Sequence, residues 1–568
     1  MTGAAVDAPV GWQRRVDAVL AGLHRGEKAW AGVTLGRRRE LLEQLHGLVG
    51  RHAQAWVDAA VGIKGLPRNS PLVGEEWISG PWALLTGLEA LAKSVAALEN
   101  GGSPLEGHRL GSAPGGRVTV KVLPHTGHDR LLLNGFSAEV WMKPGVTADS
   151  VRRQAGSSQR DPAHTNGVGA VLGAGNITSI APLDVLYELY TNNRVVALKL
   201  NPIMEAMLPV YLDVFAPLID LGALQIITGA ADVGGYLVRH HLIDHVHMTG
   251  SAVTHDAIVW GTGRDAARRK ADNEPLLTKP ITSELGGVSP IIVLPGTWSK
   301  ADLKYQAEHV ATMRLHNGGY NCIAGQVVVV SADWPQKDAF LAEIRAALQR
   351  TPARKAYYPG SDSRMAKARE AYPAAENIGG RLLVTATAER TYLLQNEFFA
   401  PVLGVVELPG ADFLATAVRT ANEDFVGTLG VNLIAHPRTI KHLGARFDAA
   451  LAELRYGCIA VNAWTGVGFL TAAGSWGAFP GHTLDDVQSG IGVVHNALFL
   501  ADPERTVVRG PFRPSPRSLL NGEWTIGPKP PWFVTNRTAA GTGRALTAFA
   551  AEPSALRLAG IFTSAVRG

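Results

Sequence analysis

The chain has little cysteine, little charge and no long apolar run, and each shortage removes a class of protein. Only Cys322 and Cys458 occur in 568 residues, too few for a disulfide framework or a cysteine-rich zinc site. Charged residues make up 18% of the chain against 46% hydrophobic, the reverse of the balance that keeps a chain disordered. Apolar runs such as Val327–Val330 and Leu131–Leu133 fall far short of the ~20 residues that cross a bilayer, so no membrane partner is expected. The N-terminal MTGAAVDAPVGWQRR lacks the apolar core of a secretory signal, and a cytoplasmic protein is expected. The net charge of +5, from 54 Lys and Arg against 49 Asp and Glu, makes no basic stripe over this length. Nucleic acid is therefore not an expected partner either.

Glycine and proline are abundant, 63 and 33 residues without period, as in a loop-rich globular enzyme. No repeat of about 20–50 residues is present. Trp12–Leu23 and Leu41–Val49 space their apolar residues along one helical face. Arg117–Leu123 and Phe136–Met142 alternate like strands, with a turn expected near Thr126–His128, and predict a β-hairpin arm over 109–145. Ala155–Pro162 reads as a loop. From 166 to 260 the strands Gly169–Gly173, Val195–Leu200, Leu224–Ile227 and His245–Met248 alternate with helices Leu183–Tyr190, Met204–Ile219 and Val233–Arg239. That order predicts a parallel sheet with right-handed crossovers.

Residues 261–280 are charged and turn-rich and read as an insertion. A second α/β block spans 284–490. Its helix 301–315 carries Leu303, Ala307, Val310 and Met313 on one face and stops at Asn317-Gly318-Gly319. The tail 513–568 holds Trp524, Ile526, Trp532, Phe533 and Phe549, too aromatic for a solvated linker. It is expected to pack on the enzyme or a neighbouring subunit. Pro528-Lys-Pro-Pro would run extended and bury the flanking tryptophans, and a helix is expected near 541–550.

Several local patterns can carry chemistry. Cys322 lies in Asn317-Gly-Gly-Tyr-Asn-Cys-Ile-Ala-Gly325, where glycines let the backbone approach a ligand and local N–H groups can activate a thiol. A free cysteine is also commonly a small buried side chain. Glu284 directly precedes Gly-Gly and a strand, where a carboxylate can face a cleft or sit in a solvated turn. Asn176 ends a strand-like run and can donate to an oxyanion or cap a helix. Lys199 ends the next strand, within reach of phosphate or ribose. Gly250-Ser251 can cradle a pyrophosphate at a helix N-terminus. His240, His241, His245 and His247 cluster without His-Glu-x-x-His, and His245-Val-His-Met alternates as a strand, so no metal is expected. Cys458 alternates as a strand residue and reads as structural. No Gly-x-Ser-x-Gly elbow occurs.

In order, Asn176, Lys199, Gly250-Ser251, Glu284-Leu-Gly-Gly, Cys322 and Glu397-Phe-Phe-Ala-Pro401 resemble the aldehyde dehydrogenase superfamily over about 166–490. The resemblance implies an α/β fold with a Rossmann-like cofactor domain over 1–283, interrupted by the 109–145 arm. A catalytic α/β domain would cover 284–490, and an oligomerisation strand and extension 491–568. Cys322 takes the nucleophile's place, Glu284 that of the general base and Asn176 that of the oxyanion amide. Lys199 matches the lysine at the adenosine ribose and Gly250-Ser251 the pyrophosphate site, with Thr249 and Gly286 placed beside them. Glu397 matches the glutamate at the nicotinamide ribose and Phe399 the aromatic near the nicotinamide. The departures are Ala174-Gly175-Asn176 for Pro-Trp-Asn, His255 for the glycine closing Gly-Ser-Thr-x-x-Gly, and Glu397-Phe-Phe-Ala-Pro for Glu-Ile-Phe-Gly-Pro.

The implied reaction oxidises a small-molecule aldehyde to the acid through a cysteine thiohemiacetal and thioester. The cofactor is NADP or NAD. Pro202, three residues beyond Lys199, leaves a 2′-phosphate unopposed, whereas Glu205 one turn later would favour NAD. The arm and a strand at Arg505–Arg509 are implied to pair across subunits in a homodimer or homotetramer. Two alternatives stand beside this reading. One is a CoA-acylating member, against which Glu284 weighs. The other is a non-catalytic scaffold, against which Cys322, Glu284 and Asn176 together weigh.

Overall fold

Short β-branched runs with no polar face become strands covered on both sides, as parallel sheets require. The computed structural model describes residues 11–386 and 389–568; residues 1–10, in the stretch read for a secretory signal, lie outside them. Helices Gly11–Ala31 and Leu35–Lys64 lead into an arm of β1 (Leu110–Ala113), β2 (Arg117–Leu123) and β3 (Ser137–Met142). Then come β4 (Val168–Leu172), β5 (Val195–Lys199), β6 (Leu224–Ile227), β7 (His245–Gly250) and β8 (Ile281–Leu285), all parallel to their neighbours in the order β8-β7-β4-β5-β6.

The larger sheet is built from β9 (Ser289–Val293), β10 (Gly325–Ser331), β11 (Glu376–Ile378), β12 (Arg381–Ala386), β13 (Val402–Leu408), β14 (Gly430–Ile434) and β15 (Cys458–Val461). The chain ends its strands with β16 (Ser475–Gly477), β17 (Gly490–Ile491), β18 (Val493–Asn496) and β19 (Pro503–Arg509). The large sheet runs β1-β2-β3-β19-β15-β14-β9-β10-β13-β12-β11, and β17 joins the small sheet antiparallel to β8. Both expected domain boundaries therefore fall inside strands. The one at 283/284 cuts β8, so Glu284 belongs to the small sheet, and the one at 490/491 cuts β17.

Three expectations change on the scale of single elements. The arm's turn is a short helix, Gly127–Leu132, because Asp129 stands three residues after Thr126 and the two side chains close a capping box. Eight of the twenty residues of the charged segment 261–280 form the helix Arg264–Ala271. Asp265 lies in its first turn and Arg268, Arg269 and Lys270 in its last, the arrangement the helix dipole favours. The loop Ala155–Pro162 contains a helical turn, Ser157–Arg160. The stretch Pro202–Asp220 is long and apolar enough to cross a membrane by length and composition, yet Val210, Tyr211, Val214, Phe215 and Leu218 are buried in the core around the small sheet.

The pairing expected across subunits is made within the chain. β3 runs antiparallel to β19, and β19 parallel to β15, so Thr506 lies between Val140 and Cys458. Arg117 grips Glu504 through Nε at 2.6 Å and Nη2 at 3.1 Å. The tail docks only in part as expected. Phe533 stacks on Tyr305 and His309, Trp532 meets Phe136 edge-on, and Phe549 is buried. Trp524 and Ile526, however, are 88% and 60% exposed, so the proline-rich run buries one flanking tryptophan and not the other. The expected helix spans Ala539–Ala551, and a second, Ala555–Ala565, follows.

Candidate active site

In an open α/β sheet the strand ends leave a crevice at their carboxyl side. Here the ends of β4, β5, β7 and β8 open on a cleft of about 1250 Å³. Asn176, Lys199, Gly250, Ser251, Gly286, Glu397 and Phe399 all line it, with Glu284 and Cys322 at its wall. Ser251 caps the helix Ala252–Val259, accepting from the Thr254 amide at 3.2 Å. That leaves a helix N-terminus facing the cleft, a place for an anion. Gly286 has no room for a side chain, since a methyl there would run into the Glu397 carboxylate. Burial pushes the Lys199 ammonium down, against the pull of Glu205 and Asp232. Thr249 lines the cleft too, but its hydroxyl turns away and donates to Asp184 at 3.0 Å.

Arginines that no sequence pattern points to also line the cleft. Arg239 ends the helix Ala231–Arg239 and Arg269 sits in the helix Arg264–Ala271, and both line the cleft. Neither is near Lys199 in sequence, and only the fold gathers them. Glu205 is engaged elsewhere: its Oε1 accepts from the Gly229 amide at 3.1 Å.

Behind the cleft a smaller space holds about 40 Å³ of room for water centres, enough for a water molecule. Asn176, Glu284 and Cys322 line it together, with Ile180, Trp464, Phe469 and Trp476 as its apolar walls. The helix Lys300–Leu315 delivers Cys322 by stopping sharply, with Asn317, Gly318 and Gly319 at φ 55°, 69° and 84°. Asn176 donates from Nδ2 to the Tyr320 carbonyl at 2.9 Å, which leaves its second N–H for a ligand.

The loop is pinned by side chains that no sequence pattern connects. Glu75 accepts from the Asn317 amide at 3.0 Å and pairs with Arg354 at 2.7 Å. Tyr357 donates to the Asn176 carbonyl, 3.1 Å away. Lys64 and Glu76 form a second buried pair at 2.9 Å. Cys458 is buried in β15, as a structural cysteine should be.

Burial dominates the electrostatics. It pushes Glu284 up to about 7, although the Cys322 thiol and the Trp476 indole hold it back. It lifts Glu397 to about 8 against the opposing charge of Arg314. Burial, then the Glu284 and Glu397 carboxylates, raise the Cys322 thiol. A thiol and a near-neutral carboxyl share one pocket, the setting of a nucleophile with its base.

Most of the backbone matches solved structures of one kind. NADP-dependent glyceraldehyde-3-phosphate dehydrogenase of Bacillus halodurans superposes with a TM-score of 0.59 at 17% identity, over 88% of this chain and 91% of the other. Gamma-glutamyl-gamma-aminobutyraldehyde dehydrogenase of Burkholderia cenocepacia gives 0.58 at 19% identity, over 87% and 88%. Residues 167–363 match the model of the aldehyde dehydrogenase family. Over that third of its length the chain is similar to the aldehyde dehydrogenase family. In sequence the chain is similar to coniferyl aldehyde dehydrogenase of a Pseudomonas species, 25% identical over 255 residues, covering 40% of this chain and 48% of that protein. Another is D-glyceraldehyde dehydrogenase (NADP(+)) of Thermoplasma acidophilum, 28% identical over 113 residues, 20% of each chain. The chain thus matches at most about half the length of these two relatives.

Proposed function

We propose that this chain oxidises an aldehyde to a carboxylic acid with NADP or NAD. The observation that carries the reading is the meeting of Cys322, Glu284 and Asn176 in one pocket at the wall of the cleft. The cleft's donors fit a dinucleotide: a capped helix N-terminus at Ser251, a lysine at the end of β5, and Gly286 leaving room beside Glu397. When bound, that cofactor supplies the hydride acceptor.

Glu284 takes the Cys322 proton, and the thiolate attacks the aldehyde carbon. The free N–H of Asn176 and the Cys322 amide hold the oxyanion. Once hydride has left the carbon, a thioester remains on Cys322. Glu284, having given the first proton to solvent in the cleft, draws a proton from water, and attack by that water frees the acid as the Cys322 thiolate leaves. Room for water beside Glu284 favours hydrolysis over transfer to CoA. The intact triad favours an enzyme over a scaffold.

Arg239 and Arg269 in the cleft, Pro202 at its edge and the engagement of Glu205 with Gly229 support NADP as the better cofactor. The apolar walls of the inner pocket, with Trp464, Phe469 and Trp476, support an apolar aldehyde. A homodimer or homotetramer would form through a surface other than the β3–β19–β15 seam, which is already closed. The test is cofactor reduction across a panel of aldehydes, with and without CoA. Turnover without CoA that Cys322→Ala abolishes is expected. Turnover that survives in Cys322→Ala, or that needs CoA, defeats the proposal.

A further inference from the structure

The alternating residues His245, His247 and Thr249 of β7 have no part in the chemistry above. In the sheet His247 pairs with Thr282 and Thr249 with Glu284, so these five side chains share one face. The helix Ile180–Leu186 and its loosened last turn, Tyr187–Thr191, supply Asp184 and Glu188 to that face. Asp184, Glu188 and His247 are wholly buried, where apolar residues would cost far less.

The contacts form a line. Asp184 lines the catalytic pocket together with Glu284. Its Oδ1 lies 3.2 Å from Nε2 of His495 on β18, and its Oδ2 lies 3.6 Å from Nε2 of His247, a charge contact longer than a hydrogen bond that leaves that nitrogen without a hydrogen-bond partner among the described residues. Nδ1 of His247 is 2.9 Å from Oγ1 of Thr282, and that hydroxyl is 3.0 Å from Nε2 of His245. His245 and Thr282 then line a separate cavity of about 410 Å³ with Arg194 and His482. One end of the line is the catalytic pocket and the other a second, larger cavity.

We infer that this line is the exit path for the proton released in deacylation. The inference rests on Glu284 being the base for that step. Water gives one proton to Glu284 as its oxygen bonds to the thioester carbon. Glu284 passes that proton through a water in the shared pocket to Asp184, and Asp184 to Nε2 of His247. His247 gives up the proton on Nδ1 to Thr282, whose own hydroxyl proton goes to Nε2 of His245. His245 sheds its Nδ1 proton to solvent in the outer cavity. Each group gains one proton and loses one, and Glu284 is a carboxylate again.

The charged groups around His247 are Asp184 and Glu188 from the helix, Glu284 from β8, His495 from β18 and His245 on its own strand, with Arg194 paired to Glu188 at 2.7 Å. Burial opposes a charge on His247, but the three carboxylates outweigh it and raise the imidazole. Burial lowers His245 to about 4, so a proton that reaches it passes on to water.

The test uses 4-nitrophenyl acetate, which acylates a thiolate directly and isolates deacylation. In the wild type a burst of nitrophenolate, one per Cys322, should precede a slower steady release. Thr282→Val, which keeps the volume and removes the bridging hydroxyl, should leave the burst intact and slow the steady phase about tenfold, within what proton transfer contributes. Thr282→Ser should restore it. His245→Ala should slow the same phase, and imidazole added to the medium should recover it through the outer cavity. A steady phase within about twofold of wild type in both Thr282→Val and His245→Ala, with the burst present, overturns the relay. Equal hydrolysis by wild type and Cys322→Ala overturns the acyl-enzyme reading itself, and the relay with it.

Discussion

At Glu284 the demands of the proposed catalysis and of stability pull apart. A carboxylate on β8, 2% exposed, is protonated more readily than one in water, and its value of about 7 places it where a general base is effective. The rate of acid release should therefore rise with pH through about 7. In Glu284→Gln that limb should vanish, turnover should fall by at least about 10², and acyl-enzyme should accumulate as added mass on Cys322. A flat pH profile in the wild type would assign the base elsewhere. Stability runs the other way. The folded state holds this proton more tightly than the unfolded chain, so the stability it contributes is present at acid pH and lost as pH rises through about 7. Glu397, raised to about 8, acts in the same sense. Glu284→Gln, which stays neutral, should melt higher than wild type at pH 8.5, and the gap should close toward pH 5. An equal gap at both pH values would mean that the gain comes from packing, not from the buried charge.

The elements divide by what made them legible. β4 to β7 and the helix Lys300–Leu315 were readable because their apolar residues repeat with the period of the structure. Asn176 and Lys199 were readable because they close such strands, and Glu284 and Cys322 because each stands beside paired glycines in an order that resembles the aldehyde dehydrogenase superfamily. The helix Arg264–Ala271 was not, since it has no buried face for a period to reveal. Nor were Glu75, Arg354 and Tyr357, because nothing in sequence ties them to a loop some 240 residues from Glu75 and about 40 from Tyr357. The unread helix has a consequence for cofactor choice. Arg269 leans from it into the cleft and Arg239 enters from the helix Ala231–Arg239. A guanidinium fork holds a phosphate well. Arg239→Ala and Arg269→Ala should each lower kcat/KM for NADP about tenfold or more and leave NAD within about twofold, a difference of about 1.4 kcal/mol per tenfold. Parallel losses with both cofactors would place the arginines at a part the two share.

On the scale of the whole molecule, the chain closes on itself at both ends of its sequence. Glu504 holds Arg117 of the arm and Arg505 beside it, adding a buried ion pair to the β3–β19 seam that joins the arm to the large sheet. The tail fastens a second place, and that place touches the site. Its helix Ala539–Ala551 lies against Val73–Trp77 and Ile78–Trp82, and Ile78 and Ser79 line the catalytic pocket. The approach is close because small residues meet there. A methyl on Gly543 would stand 2.9 Å from Cβ of Trp77 and 3.1 Å from the Gly74 carbonyl. Gly543→Val would therefore press the tail off its seat, or press Ile78 and Ser79 inward, since a packed interior has no slack to take up the added volume. The expected result is a lower melting temperature, faster clipping of the tail by protease, and a raised KM for the aldehyde with cofactor KM little changed. Val566→Ala, on an exposed side chain just after the last helix, is the control and should change none of these. If Gly543→Val loosened the tail to protease and left aldehyde KM at the wild-type value, the extension would be a brace for the fold alone, and the pocket would keep its shape without it.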